Sequence, residues 1–350
     1  MTQPEALQEL VKDVSRRLQH ARVRVAVVGD MILDNSIEGV PGGFHPETKV
    51  PILRDATSQE SIGGAANIAL ALDRLGAEVT LFGIIGSDLT GRQLENLLDR
   101  QSFASYLITQ RGWPTPRKDW IYRNSDGGRA ELFQRIDYDR PLPASAREEL
   151  VGEFRGRGAG GAEVVILADH GLGSIGAESL PLLSLARERQ AKIVAIPRST
   201  VLRGQALDAI VINATEMRRL AQAGETADPR PLAARYAREY AQHVYLTLLE
   251  EGLLVCPRGL RGEGTLIDGY PLDNPQWMGT RDITTGIVAL GLALGLEPVA
   301  LGRLANVFRY LVAGQRGNGR VLWRDVYRFV GLEPTADDSA IIARAGGPAA

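Results

Sequence analysis

Short β-branched runs recur along the chain, and each is followed by a stretch with apolar residues at helical spacing. Arg22 to Val28 (RVRVAVV) predicts a strand that ends at Gly29, and Val79 to Ile85 predicts a second. Ala65 to Leu75 and Gly91 to Arg100 place their apolar residues on one helical face. Val164 to Leu167, Lys192 to Ile196, Ala209 to Ile212 and His243 to Thr247 are unbroken apolar runs, short enough to be buried strands. Helical stretches lie between them, near residues 176–189, 215–222 and 231–241. A strand buried on both faces loses the apolar–polar alternation, so this pattern implies a mostly parallel sheet with helices on both sides. The expected class is α/β, a three-layer α/β/α core.

Two segments interrupt the alternation. Residues 36–55 and 113–138 read as extended antiparallel pieces punctuated by Pro and Gly, a small β-lid over one edge of the sheet. Residues 1–20 form an amphipathic helix with Leu7, Leu10, Val11, Val14 and Leu18 on its packing face. The α/β domain then spans 21–333, and 334–350 reads as a frayed tail. No run approaches the roughly 18 apolar residues of a membrane span. The N-terminal stretch has neither an apolar signal core nor a small-residue cleavage site, so the cytoplasm is the expected location and no membrane partner is expected. Forty Lys and Arg against 42 Asp and Glu leave a net charge of −2, which argues against nucleic acid as a partner. A single cysteine, Cys256, excludes an internal disulfide framework, and it reads as a core residue. The four histidines have no metal-ligand spacing, and no metal of the protein's own is expected.

Three clusters sit where chemistry would be expected, at strand ends or at a helix start. Gly29-Asp30-Met31-Ile32-Leu33-Asp34 places two carboxylates after the first strand, suited to sugar hydroxyls or, structurally, to a polar turn. Gly63-Gly64 opens a helix that carries Asn67 on its first turn, where glycines allow close backbone approach. Asn213-Ala214-Thr215-Glu216 follows a buried strand. Asn213 caps the next helix, or Glu216 organises metal-bound water near a phosphate. The lid aromatics Trp113, Trp120 and Tyr122 read as packing within the lid or a dimer.

In chain order these clusters read GDMILD, HPETKVPIL (His45 to Leu53), GGAANIALALDRLGAEVTLFGIIGSD (Gly63 to Asp88) and NATE. Together they resemble the ribokinase-like (PfkB) carbohydrate kinase family. Within it they are most similar to the D-glycero-D-manno-heptose-7-phosphate kinase branch, whose lid segment Pro46 to Ile52 resembles. Phe133 to Asp137, Ala168 to Gly171 and Glu250 to Gly252 extend the resemblance over most of residues 20–333. It implies a ribokinase-like core whose β-lid mediates a homodimer. It implies a sugar or sugar phosphate held by Asp34, Gly63, Gly64 and Asn67, with Arg135 and Asp137 on or under the lid. Asn213, Glu216, Thr247 and Gly252 would lie beside ATP and Mg²⁺.

The family also carries a Gly-Ala-Gly-Asp turn at a helix N-terminus. Its N–H groups hold the transferred phosphoryl, and its Asp takes the proton of the sugar hydroxyl. Sought after Asp282, the turn is missing: an ungapped alignment puts Val288 at the base position, and a gapped one deletes the turn. On this reading Asp282 corresponds to an upstream family Asp. Ile196-Pro197-Arg198 replaces Asp-Pro-Lys, and Leu249 fills a position the family keeps small. Asp30, Asp169 and His170 remain as substitute bases. The expectation is a sugar- or sugar-phosphate-binding pseudokinase or a repurposed enzyme. The alternatives are an active ATP-dependent heptose phosphate kinase with a relocated base, or a dimeric interaction protein with a vestigial pocket.

Overall fold

In the computed structural model, residues 3–124, 130–158, 161–240, 242–315 and 319–333 are described; the tail read at 334–350 lies outside them. The chain opens with α1 (Gln3–His20), β1 (Arg24–Phe44), β2 (Pro51–Gly64), α2 (Ala65–Arg74), β3 (Glu78–Gly86), α3 (Leu89–Leu98) and β4 (Ala104–Gln110). It continues with β5 (Arg117–Asn124), β6 (Ala130–Tyr138), α4 (Ala144–Glu153), β7 (Val164–Asp169), α5 (Pro181–Glu188), β8 (Lys192–Pro197), β9 (Ala209–Asn213), α6 (Ala214–Leu220) and α7 (Pro229–Glu239). It ends with β10 (His243–Thr247), β11 (Gly252–Cys256), β12 (Thr265–Asp268), α8 (Thr280–Ala293), α9 (Pro298–Ala313) and α10 (Trp323–Phe329).

The main sheet has the order β12-β11-β10-β9-β8-β7-β1-β3-β4. It is parallel from β10 to β4, and β11 and β12 extend it antiparallel. Successive strand residues face opposite layers. On β8, Val194 and Ile196 pack with α1, α2, α8 and α9, whereas Ile193 and Ala195 pack with α4 to α7. The same division holds for Val164, Ile166 and Ala168 against Val165 and Leu167 on β7. Both faces are therefore dry, which is why these strands read as continuous apolar runs. Val11, Val14 and Leu18 of α1 are buried in the first layer.

The first strand does not stop at Gly29. It runs on to Phe44 because, beyond the main sheet, its residues find a new antiparallel partner: Met31 pairs with Gly64 and Asp34 with Ser61 of β2. The lid is built from this extension, β2, β5 alongside β1, and β6 antiparallel to β5. GDMILD is thus extended strand at the point where the sheet hands over to the lid, not a turn.

Gly29 makes that passage possible. A Cβ there would meet the carbonyl oxygen of Ala168 on β7 at 2.2 Å, a backbone atom with nowhere to go. Gly29→Ala is expected to cost roughly 1–3 kcal/mol through overpacking. Chemical denaturation would show this as a lower midpoint at unchanged slope.

Candidate functional site

The carboxyl ends of the parallel strands, the base of the lid and the start of α8 enclose a cleft of 260 Å³. Its lining includes Asp34, Gly64, Lys118, Trp120, His170, Arg198, Asn213, Thr247, Leu249 and the stretch Trp277–Asp282.

Asp34 forms one wall. Its Oδ1 accepts the Trp120 indole N–H at 2.9 Å. A Cβ on Gly63 would approach the other oxygen, Oδ2, to 2.2 Å, so glycine at 63 leaves the carboxylate its position. Gly64 has a φ of 61° and its missing Cβ would strike the Asp30 carbonyl, so α2 can start directly beneath the cleft. On the lid, Arg135 lies 5.1 Å over the Trp120 ring and pairs with Asp137 at 2.8 Å. Neither lines the cleft; they act on it through Trp120, which Arg135 covers, and through Lys118, which both charges influence. That indole faces the cleft, whereas Trp113 and Tyr122 are buried packing residues.

The three substitute bases separate. Asp30 accepts the backbone N–H groups of His170, Leu172 and Ser174 at 2.7–3.0 Å. Asp169 accepts the Ser199 hydroxyl and N–H, both at 2.6 Å, and the Gly171 N–H at 2.9 Å. Both carboxylates are used in holding loops, behind the cleft. Only His170 reaches it. His170 is 7% exposed and its Nε2 has no hydrogen-bond partner. Burial, reinforced by Arg281, Lys118 and Arg198, holds its pKa well below the usual imidazole value. It is therefore neutral at pH 7.

The carboxylate that faces the cleft from α8 is Asp282. This helix begins at Thr280 behind Gly279, which caps it in a left-handed conformation, so Asp282 lies in its first turn. The sequence reading sought the family turn after Asp282, whereas in the structure Asp282 itself lies in the first turn of the helix. Val288 is fully buried in the body of the helix and lines nothing. Asn67 donates to Asp282 Oδ2 at 2.8 Å, and His170 Nε2 lies 4.0 Å from Oδ1. Burial pushes the Asp282 carboxyl up to about 6, with the Asn67 hydrogen bond and Arg281 opposing and Asp34 adding to the rise. A carboxylate poised there is a proton acceptor at neutral pH. Lys118, Trp120 and Arg198 were also missed as cleft residues. The one available signal was Gly279 three residues before Asp282.

On the opposite side Asn213 caps α6, accepting the Glu216 N–H at 2.8 Å. The Glu216 carboxylate is buried and ion-paired with the Arg281 guanidinium. Thr247 lines the cleft and donates to the Ile212 carbonyl at 3.3 Å. Gly252 does not line it: with a φ of 118° and a Cβ position 2.0 Å from the Ile267 carbonyl oxygen, it serves the junction of β11 and β12. Leu249, on the rim, holds a φ of 47°, a left-handed conformation that favours glycine. Cys256 is buried and its thiol is raised to about 12, so it is no nucleophile.

A three-layer parallel sheet with a strand-built lid over its carboxyl edge is the ribokinase-like fold. It is shared with phosphofructokinase-2 from Escherichia coli in complex with substrates and products (TM-score 0.66, 16% identity, 89% of this chain and 100% of that chain). It is shared also with ribokinase from Thermotoga maritima (TM-score 0.62, 16% identity, 92% and 100%). Residues 23–135 match the pfkB family carbohydrate kinases. The chain is thus similar to the pfkB family carbohydrate kinases over that stretch, and over most of its length it is related to the Bifunctional protein HldE. It is 30% identical over 330 residues to that of Mesorhizobium japonicum and 29% over 326 residues to that of Pseudomonas entomophila, covering 91% and 88% of this chain. It spans just under two thirds of the length of these relatives, 65% and 64%. Among the described residues, no helix is long and apolar enough to cross a membrane.

Proposed function

We propose that this chain is a carbohydrate kinase of the heptose phosphate type, with Asp282 as its base. The observation that carries the reading is the placement of Asp282. It stands in the first turn of α8, facing the same cleft as Asp34 and held by Asn67. In this reading Gly279-Thr280-Arg281-Asp282 stands where the family has Gly-Ala-Gly-Asp. Asp34 accepts a sugar hydroxyl and Trp120, backed by Arg135, covers the ring. Asp282 takes the proton of a second hydroxyl. That oxygen bonds to the terminal phosphorus of ATP as the bond from this phosphorus to ADP breaks. The free N–H groups of the first turn of α8 stabilise the charge on the transferred group. Asn213 and Thr247 flank the phosphate side of the cleft.

Family resemblance also favours a homodimer through the lid, whose Phe44, Val50, Leu132 and Tyr138 are exposed, and a cytoplasmic setting. The second reading is a sugar-phosphate-binding pseudokinase. Leu249 and the Arg281 side chain favour it, because they occupy the nucleotide side where a phosphate-binding turn needs small residues.

The test is ADP release from ATP on addition of heptose phosphates. Sugar-dependent release is expected in the wild type and is expected to be lost in Asp34→Ala. If the sugar phosphate shifts the melting temperature but no ADP forms, the pseudokinase reading replaces the kinase.

A further inference from the structure

We infer that the Arg281 guanidinium takes the place of a divalent cation in this cleft, so that the phosphate chain of a nucleoside triphosphate binds here without Mg²⁺. The inference rests on the kinase-like reading of the cleft and concerns how its nucleotide side is charged.

The fold family implies Mg²⁺, and the residues present do not fit it. Mg²⁺ takes oxygen ligands, typically one or two carboxylates together with substrate phosphates. Three carboxylates are near. Asp34 holds the Trp120 N–H, and Asp282 is held by Asn67 on the sugar side. Glu216, the one on the phosphate side, is buried and ion-paired with Arg281. A dication reaching Glu216 would have to expel a guanidinium from a buried pair, leaving that cation beside the metal. Lys118 and Arg198 line the same cleft and add to the repulsion.

The same residues suit a polyanion. A guanidinium presents five donors in a fixed fork that matches phosphate oxygens, and Glu216 engages only Nη1 of Arg281. The first-turn N–H groups of the 14-residue α8 have no intrahelical acceptors and carry the positive end of its dipole. An independent observation points to a ligand in this cleft. The His170 Nε2, on a side chain more than nine-tenths buried, lines the cleft without a hydrogen-bond partner. Buried polar groups are rarely left so, and a phosphate oxygen or a sugar hydroxyl would satisfy it.

The experiment is calorimetric titration of the full chain with ATP in EDTA and in excess Mg²⁺, for the wild type, Arg281→Gln and Arg281→Lys. The wild type is expected to bind ATP in EDTA at least as tightly as in Mg²⁺. Arg281→Gln frees Glu216 and removes the cation. It is expected to weaken binding in EDTA by roughly tenfold, the size of one charge-assisted hydrogen bond, and to recover it in Mg²⁺. Arg281→Lys keeps the charge and is expected to stay independent of the metal. Circular dichroism of each variant verifies that α8 is formed. The inference is overturned if wild-type binding requires Mg²⁺, if ATP binds under neither condition, or if Arg281→Gln binds as the wild type does in EDTA. The kinase reading is judged separately, on sugar-dependent ADP release.

Discussion

Asp282→Asn is expected to lower sugar-dependent ADP release by about 10²–10⁴-fold, the usual worth of a positioned base. The amide keeps the volume and can still accept from Asn67, so sugar-phosphate binding should survive the change. Two pH effects accompany it. Wild-type kcat/KM should rise with pH through about 6, where the carboxyl ionises, and the variant should lack that limb. The second effect is on stability, and its sign is the reverse of the usual acidic residue. The folded-state pKa lies above the unfolded value near 3.8, so between these two values the folded chain holds more protons. Asp282 therefore costs stability as pH rises through this window, and the full penalty, on the order of 1–3 kcal/mol, stands above pH 6. Asp282→Asn should melt higher than the wild type at pH 8, and the gap should narrow toward pH 4. A variant that retains a tenth or more of the wild-type rate would remove Asp282 from the reaction.

Asp30→Ala is expected to destabilise the protein by at least about 3 kcal/mol, because three backbone donors lose their common acceptor in a site that is 1% exposed. The loop 170–174 hangs on this carboxylate, and with it the position of His170. Asp30→Asn keeps an acceptor oxygen and should fall between the two. Denaturant midpoints and near-ultraviolet circular dichroism measure the effect. Were Asp30 instead a chemical base, the Ala variant would keep its stability and lose only turnover.

The central parallel strands of the main sheet could be read directly because burial on both faces writes an uninterrupted apolar run. Asn213 could be read as a cap because a side-chain acceptor at that position serves an N–H three residues on, a wholly local relation. The edge strand β4 was not read. Its residues are half-exposed and its partner β3 lies some twenty residues upstream, with Thr80 paired to Ala104. The start of α8 was misplaced for a different reason. It has no Ser, Thr, Asp or Asn cap, only a left-handed Gly279 after a Pro-containing segment, so the apolar body of the helix drew attention away from its first turn.

Local periodicity was enough to commit this chain to a layered α/β core, since strand and helix patterns depend on neighbours a few residues away. The assignment of each carboxylate was beyond that range. Asp30 is taken by a loop 140 residues on, Asp282 is held by an asparagine 215 residues back, and Glu216 is neutralised by an arginine 65 residues on. Which acid is free to accept a proton depends on what it touches and how deeply it is buried. Both are set when distant segments meet at the carboxyl edge of the sheet.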